Sequence, residues 1–164
     1  AHLGVRTLGT VSTEAKAELA RANGCDEIIY YTRESVPDRV RELTDGAMVP
    51  VVFDSVGKAT FLDSLACLRP RGTMVGFGNA SGAPDPFDVL ELSRRGSLYL
   101  TRPTLFDYTA SREDLELSAG RVFSAVQDGV LRPHIGARFA LEEVRACHEA
   151  LESRKTVGAT LLVP

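Results

Sequence analysis

Hydroxyl side chains and one cation gather in a short stretch, Gly9-Thr10-Val11-Ser12-Thr13, with Lys16 a turn further on. Small hydroxyl donors beside an ammonium suit a phosphate group, and no carboxylate intervenes before Glu14. Tyr31 and Arg33 offer a phenol and a guanidinium later in the chain. Two further turns carry groups of chemical interest: Asp54-Ser55-Val56-Gly57 and Phe77-Gly78-Asn79 each close an apolar run. Gly57 and Gly78 would let a ligand approach the backbone closely. Asp54 invites a catalytic role, but a carboxylate there more often caps the next helix or accepts backbone N–H groups, and that structural role is preferred.

Other chemistries find no support. His2, His134 and His148 lack partners at metal-ligand spacing, so no metal is expected. Gly-x-Ser-x-Gly is absent, which removes the usual nucleophile elbow. Cys25, Cys67 and Cys147 are odd in number and contain no CxxC pair, so neither a disulfide framework nor a zinc site is expected; the default is a reducing cytoplasm. A net charge of −3 over 164 residues gives no basic field for nucleic acid or anionic lipid. No apolar run approaches the roughly 18 residues of a membrane span, and no signal peptide is read at the start.

The elements that would position these groups alternate along the chain. Strands are expected over 5–11, 27–31, 49–54, 73–77, 97–101, 138–140 and 159–163. Helices are expected over 13–23, 36–44, 59–68, 87–94, from Ser111 towards Asp128-Gly129, and over 141–153. Such alternation implies an α/β fold, a Rossmann-like doubly wound parallel sheet covered on both faces. The apolar run 49–54 reads as a strand buried on both sides. The 5–11 strand reads as the second of that fold, so the chain is expected to lack the first strand and the Gly-rich loop. That would leave a gap of about two strand spacings, roughly 9.6 Å. The sheet could close by pairing the second strand with the fourth, or by borrowing a strand; otherwise 5–11 must detach.

Ligands of open α/β sheets bind beyond the carboxyl ends of the strands, and an acid ending the second strand marks NAD by holding the ribose 2′-hydroxyl. Hydroxyls and Lys16 stand there instead, which favours NADPH. The plainer alternative is that Ser12 and Thr13 cap the helix and Lys16 is solvated.

Taken in order, Gly9 to Thr13 with Lys16, Asp54-Ser55-Val56-Gly57, Gly72 to Gly82, Leu98 to Pro103 and Glu152-Ser153-Arg154 resemble the zeta-crystallin-like quinone oxidoreductases of the medium-chain dehydrogenase/reductase superfamily. The resemblance covers the whole chain. It implies the C-terminal part of the cofactor domain plus a closing segment from about residue 133, without the N-terminal catalytic domain. It implies zinc-free, NADPH-dependent reduction of quinones or conjugated carbonyls by direct hydride transfer, with no catalytic side chain. Ser12, Lys16 and Tyr31 would hold the 2′-phosphate end, and Ser55 and Val56 the adenosine–pyrophosphate path. Phe77, Gly78 and Asn79, with Leu100 and Thr101, would flank the nicotinamide end, and Arg154 would return to the cofactor. It also implies a homodimer through the edge strand between Ser97 and Thr101. An enoyl reductase of the same superfamily and a non-catalytic nucleotide-binding or dimerisation module are the competing readings. The 164 residues alone are expected to be inactive.

Overall fold

Thr13 fixes the first turn of the chain's first helix, its hydroxyl accepting the Lys16 N–H at 3.4 Å. In the computed structural model, which describes residues 2–153 and 156–164, that helix (α1, Glu14–Ala22) follows strand β1, Leu8–Val11. The chain divides into two compact units, Leu3–Ser111 and Arg112–Pro164.

The first unit continues with β2 (Glu27–Tyr30), α2 (Val36–Leu43), β3 (Val49–Asp54), α3 (Phe61–Ala66), β4 (Leu68–Gly76), α4 (Leu90–Arg94), β5 (Tyr99–Thr101) and α5 (Leu105–Tyr108). Ser35 caps α2 and Pro37 occupies its first turn, where a missing N–H is tolerated. The strands form two parallel sheets, β1-β2 and β3-β4-β5. Phe61, Leu65, Leu68, Met74 and Leu98 form the core against the second sheet, and the Phe87 ring meets Phe61 edge-on at 4.9 Å. A neighbouring cluster of Ile29, Val40 and Cys67 takes in Leu8, Val49 and Val52, so side chains of both sheets share it.

The second unit holds α6 (Arg112–Gln127), β6 (Ile135–Ala140), a 3-10 turn over Leu141–Glu143, α7 (Val144–Glu152) and β7 (Ala159–Val163). β6 and β7 pair in parallel. Cys147 is its buried side chain on α7.

Several expectations need correction. β1 neither pairs with β3 nor detaches; it stays hydrogen-bonded to β2 from Leu8↔Glu27 to Val11↔Tyr30. β3 is not buried on both faces, for Val51 is 42% and Phe53 72% exposed while Asp54 on the opposite face is buried. β4 starts at Leu68 rather than residue 73, which shortens α3. Leu68 pairs with Val49 and Thr73 with Val51, and the residues between bulge out around Arg71 at φ 59°. β5 begins only at Tyr99, because Ser97 sits at φ 57° and Leu98 turns into the core.

Candidate functional site

Asp54 ends β3 and is 4% exposed. Its Oδ1 accepts the N–H groups of Val56 (2.7 Å) and Gly57 (3.0 Å), and its Oδ2 accepts the hydroxyls of Thr60 (2.8 Å) and Ser64 (2.7 Å). Burial pushes its pKa up, but these four bonds outweigh burial and hold the carboxyl below its usual value. A carboxylate so occupied is a structural anchor, in keeping with the preferred reading of this residue.

The turn it anchors is laced to the loop after β4. Phe77 N–H donates to Asp54 O (2.8 Å), Ala80 N–H to Ser55 O (3.2 Å) and Ser81 N–H to Val56 O (2.8 Å). The Ser81 hydroxyl also donates to Val56 O and accepts the Ala59 N–H. Gly78 passes so close that a Cβ would stand 2.3 Å from Ser55 O. Gly78, Asn79, Leu100 and Thr101 thus come together, with Asp54 and Arg102, around a crevice of about 80 Å³. Phe77 precedes them and is 52% exposed. Ser55 projects from the turn and Val56 is half-buried. Arg102, not singled out from sequence, donates to Gly76 O at 2.7 Å and so ties the ends of β4 and β5. The hydroxyls of Thr60 and Ser64 and the lacing by Ser81 were also missed. The one signal was the four-residue spacing of Thr60 and Ser64, about one helical turn.

Ser12, Lys16 and Tyr31 lie at the carboxyl ends of β1 and β2, apart from that crevice along the strand ends. The Lys16 ammonium forms no ion pair among the described residues. Glu14 is engaged: its Oε2 accepts the Tyr30 hydroxyl (2.5 Å) and its Oε1 the Arg21 guanidinium (3.0 Å). The Tyr30 hydroxyl and Arg21 hold the Glu14 carboxyl below its usual pKa. The Arg33 guanidinium carbon lies 5.3 Å from the centre of the Tyr30 ring, a cation–π distance. Arg154 lies outside the described residues.

These residues fit a dinucleotide: hydroxyls and cations with no salt bridge among the described residues stand at one end, and exposed turns with closely packed glycine backbone at the other. No group of three or more His, Cys, Asp or Glu that could hold a metal occurs among the described residues. No helix among them is long and apolar enough to cross a membrane.

Parallel strands that carry their turns at the carboxyl ends define a Rossmann-like α/β protein. The chain belongs to the zinc-binding dehydrogenase family, whose sequence model matches residues 1–118. It is 49% identical over 162 residues to a quinone oxidoreductase of Pseudomonas aeruginosa, covering 99% of this chain and 50% of that protein. A 2-haloacrylate reductase of a Burkholderia species is 45% identical over 164 residues, with 99% and 49% covered. The crystal structure of Escherichia coli quinone oxidoreductase complexed with NADPH superposes with a TM-score of 0.94 at 41% identity, covering 99% of this chain and 51% of that one. The chain spans about half the length of the curated relatives it matches.

Proposed function

We propose that this chain is the cofactor-binding part of an NADPH-dependent oxidoreductase that reduces quinones or other conjugated carbonyls without zinc. The observation that carries the reading is the cluster at the ends of β1 and β2. Lys16 has no salt bridge among the described residues, Ser12 and Tyr31 follow the ends of the paired strands β1 and β2, and the Glu14 carboxylate is already engaged. Similarity to a protein solved with NADPH supports it. Ser12, Lys16 and Tyr31 would hold the 2′-phosphate, and Ser55 and Val56 would line the path to the crevice. Phe77, Gly78, Asn79, Leu100 and Thr101 would orient the ring, with Arg154 closing on the cofactor. When bound, NADPH supplies the hydride. The protein's share is position, and no side chain is assigned as acid or base.

Lys16→Glu is expected to weaken NADPH binding by about 1–3 kcal/mol, by loss of a charge-assisted contact and added repulsion, with little effect on NADH. Calorimetric titration of protein made from the complete reading frame checks this. NADH bound as tightly as NADPH by the unaltered protein would contradict the reading.

Similarity to 2-haloacrylate reductase favours a second substrate class, an electron-poor carbon–carbon double bond conjugated to a carboxylate. Comparing kcat/KM for a benzoquinone, a 2-haloacrylate and an enoyl thioester separates these readings. The 164 residues include no Gly-rich phosphate loop, so on their own we expect weak NADPH binding and no turnover. A reducing cytoplasm suits the free thiols of Cys25, Cys67 and Cys147, burial pushing that of Cys67 up to about 11.

A homodimer through β5 completes the proposal. Only one edge of that strand is paired, to β4, and Tyr99 is 62% exposed. A bare apolar edge favours pairing with a second copy. Tyr99→Lys, at an exposed position, should shift the protein towards monomer in sedimentation velocity. An unaltered protein already monomeric at high micromolar concentration would remove the interface.

A further inference from the structure

Two acids flank the ends of β1 and β2: Glu14 in the first turn of α1 and Glu34 just beyond β2. A free carboxylate there would accept a ribose 2′-hydroxyl and repel a 2′-phosphate. Neither is free. Glu14 takes the Tyr30 hydroxyl on one oxygen and Arg21 on the other. Glu34 accepts the Tyr30 backbone N–H at 2.8 Å and lies 3.5 Å from the Arg39 guanidinium. Arg39 is shared with Glu42, whereas among the described residues Arg21 has one salt bridge, to Glu14. Against these acids stand Lys16 and Arg33, cations with no salt bridge among the described residues.

We propose that Arg21 and the Tyr30 hydroxyl set the cofactor preference of this site by occupying Glu14, so that its carboxylate neither accepts a ribose 2′-hydroxyl nor repels a 2′-phosphate. This rests on the placing of the NADPH adenosine end at Ser12, Lys16 and Tyr31. The side chains of Glu14 and Arg21 are 60% and 50% exposed, so the pair alone adds little to stability. Its effect is on direction. The Tyr30 hydroxyl, at the end of a strand, and the Arg21 guanidinium hold the carboxylate between them. Tyr30 also stacks against Arg33, so one side chain restrains the acid and steadies a cation. The arrangement is a specificity device built from residues on two elements, α1 and β2.

The test is a double-mutant cycle on protein made from the complete reading frame, with NADPH and NADH affinities measured by calorimetry. Arg21→Ala leaves Glu14 charged and less restrained, and is expected to lower the NADPH:NADH affinity ratio by about three- to tenfold, mostly through NADPH. Tyr30→Phe keeps the ring and should move the ratio the same way by less. Glu14→Ala combined with Arg21→Ala should return the ratio to at least that of the unaltered protein. A fall that persists in the double variant would make Arg21 itself a phosphate ligand and overturn the proposal, as would a ratio that does not move. Binding of neither dinucleotide by the unaltered protein would instead overturn the cofactor reading, and this proposal with it. Because the altered side chains are exposed or conservatively changed, folding is not at issue, and circular dichroism verifies it.

Discussion

Asp54→Ala should destabilise the protein by about 3–5 kcal/mol, because it leaves buried donors without an acceptor, at about 1–3 kcal/mol each. The substitution strands the N–H groups of Val56 and Gly57 and leaves the Thr60 and Ser64 hydroxyls facing a cavity. Asp54→Asn should be milder, about 1–2 kcal/mol. Its amide oxygen can still accept the two N–H groups, and the hydroxyls can rotate to accept from its NH2. Urea denaturation of the two variants checks both magnitudes. The pH dependence has a defined sign. Hydrogen bonds hold the folded carboxyl below the roughly 3.9 of an unfolded aspartate, so its contribution is complete above that pH and is lost as the pH falls through the lower folded value. Asp54→Asn should lack this component of acid sensitivity. An alanine variant within 1 kcal/mol of the unaltered protein would show that the network is dispensable.

Gly78→Val is expected to be nearly as damaging, by about 2–4 kcal/mol, and to weaken NADPH binding tenfold or more. The added Cβ would stand 2.3 Å from Ser55 O and 2.8 Å from Ser55 Cα, and backbone cannot step aside as a flexible side chain can. Relief requires parting the 54–57 turn from the 77–82 loop, which breaks the bonds that Ala80 and Ser81 make across it. Gly120→Ala in α6 is the control, since a Cβ there meets nothing within 4 Å. Alanine there should be neutral or stabilising, because helical glycine is entropically costly. Thermal melts and a cofactor titration read both effects. Equal stability of the Gly78 and Gly120 variants would contradict the close packing.

Local signals made much of this legible from sequence. The apolar runs of β3 and β7 gave both boundaries as found, and the helix starts expected at 13 and 36 fall within one residue of those of α1 and α2. Where tertiary pairing decides, the sequence misleads. Leu68 has the look of a helix end, yet it is drawn into β4 opposite Val49 and into the core. The run Val51-Val52-Phe53 identifies a strand, but hydrophobicity does not state that both faces are covered, and Phe53 is largely exposed. The four-residue helix α5 has no cap bond to announce it. At the site, Lys16, Asp54 and Gly78 stand out by type and position. The engagement of Glu14 was illegible because Tyr30 comes from a different element and meets it only on folding, while Arg21 lies two helical turns along α1, beyond the usual three- or four-residue pairing.

The division between the β1-β2 and β3-β4-β5 sheets has a thermal consequence. Within each sheet, backbone ladders hold neighbouring strands together. Between β1 and β3 there is no ladder, and the packing of Ile29, Val40 and Cys67 with Leu8, Val49 and Val52 spans the division. Apolar association weakens on cooling, whereas ladders carry a larger enthalpic share. Within these 164 residues, side-chain packing across that boundary is expected to loosen on cooling before either ladder does.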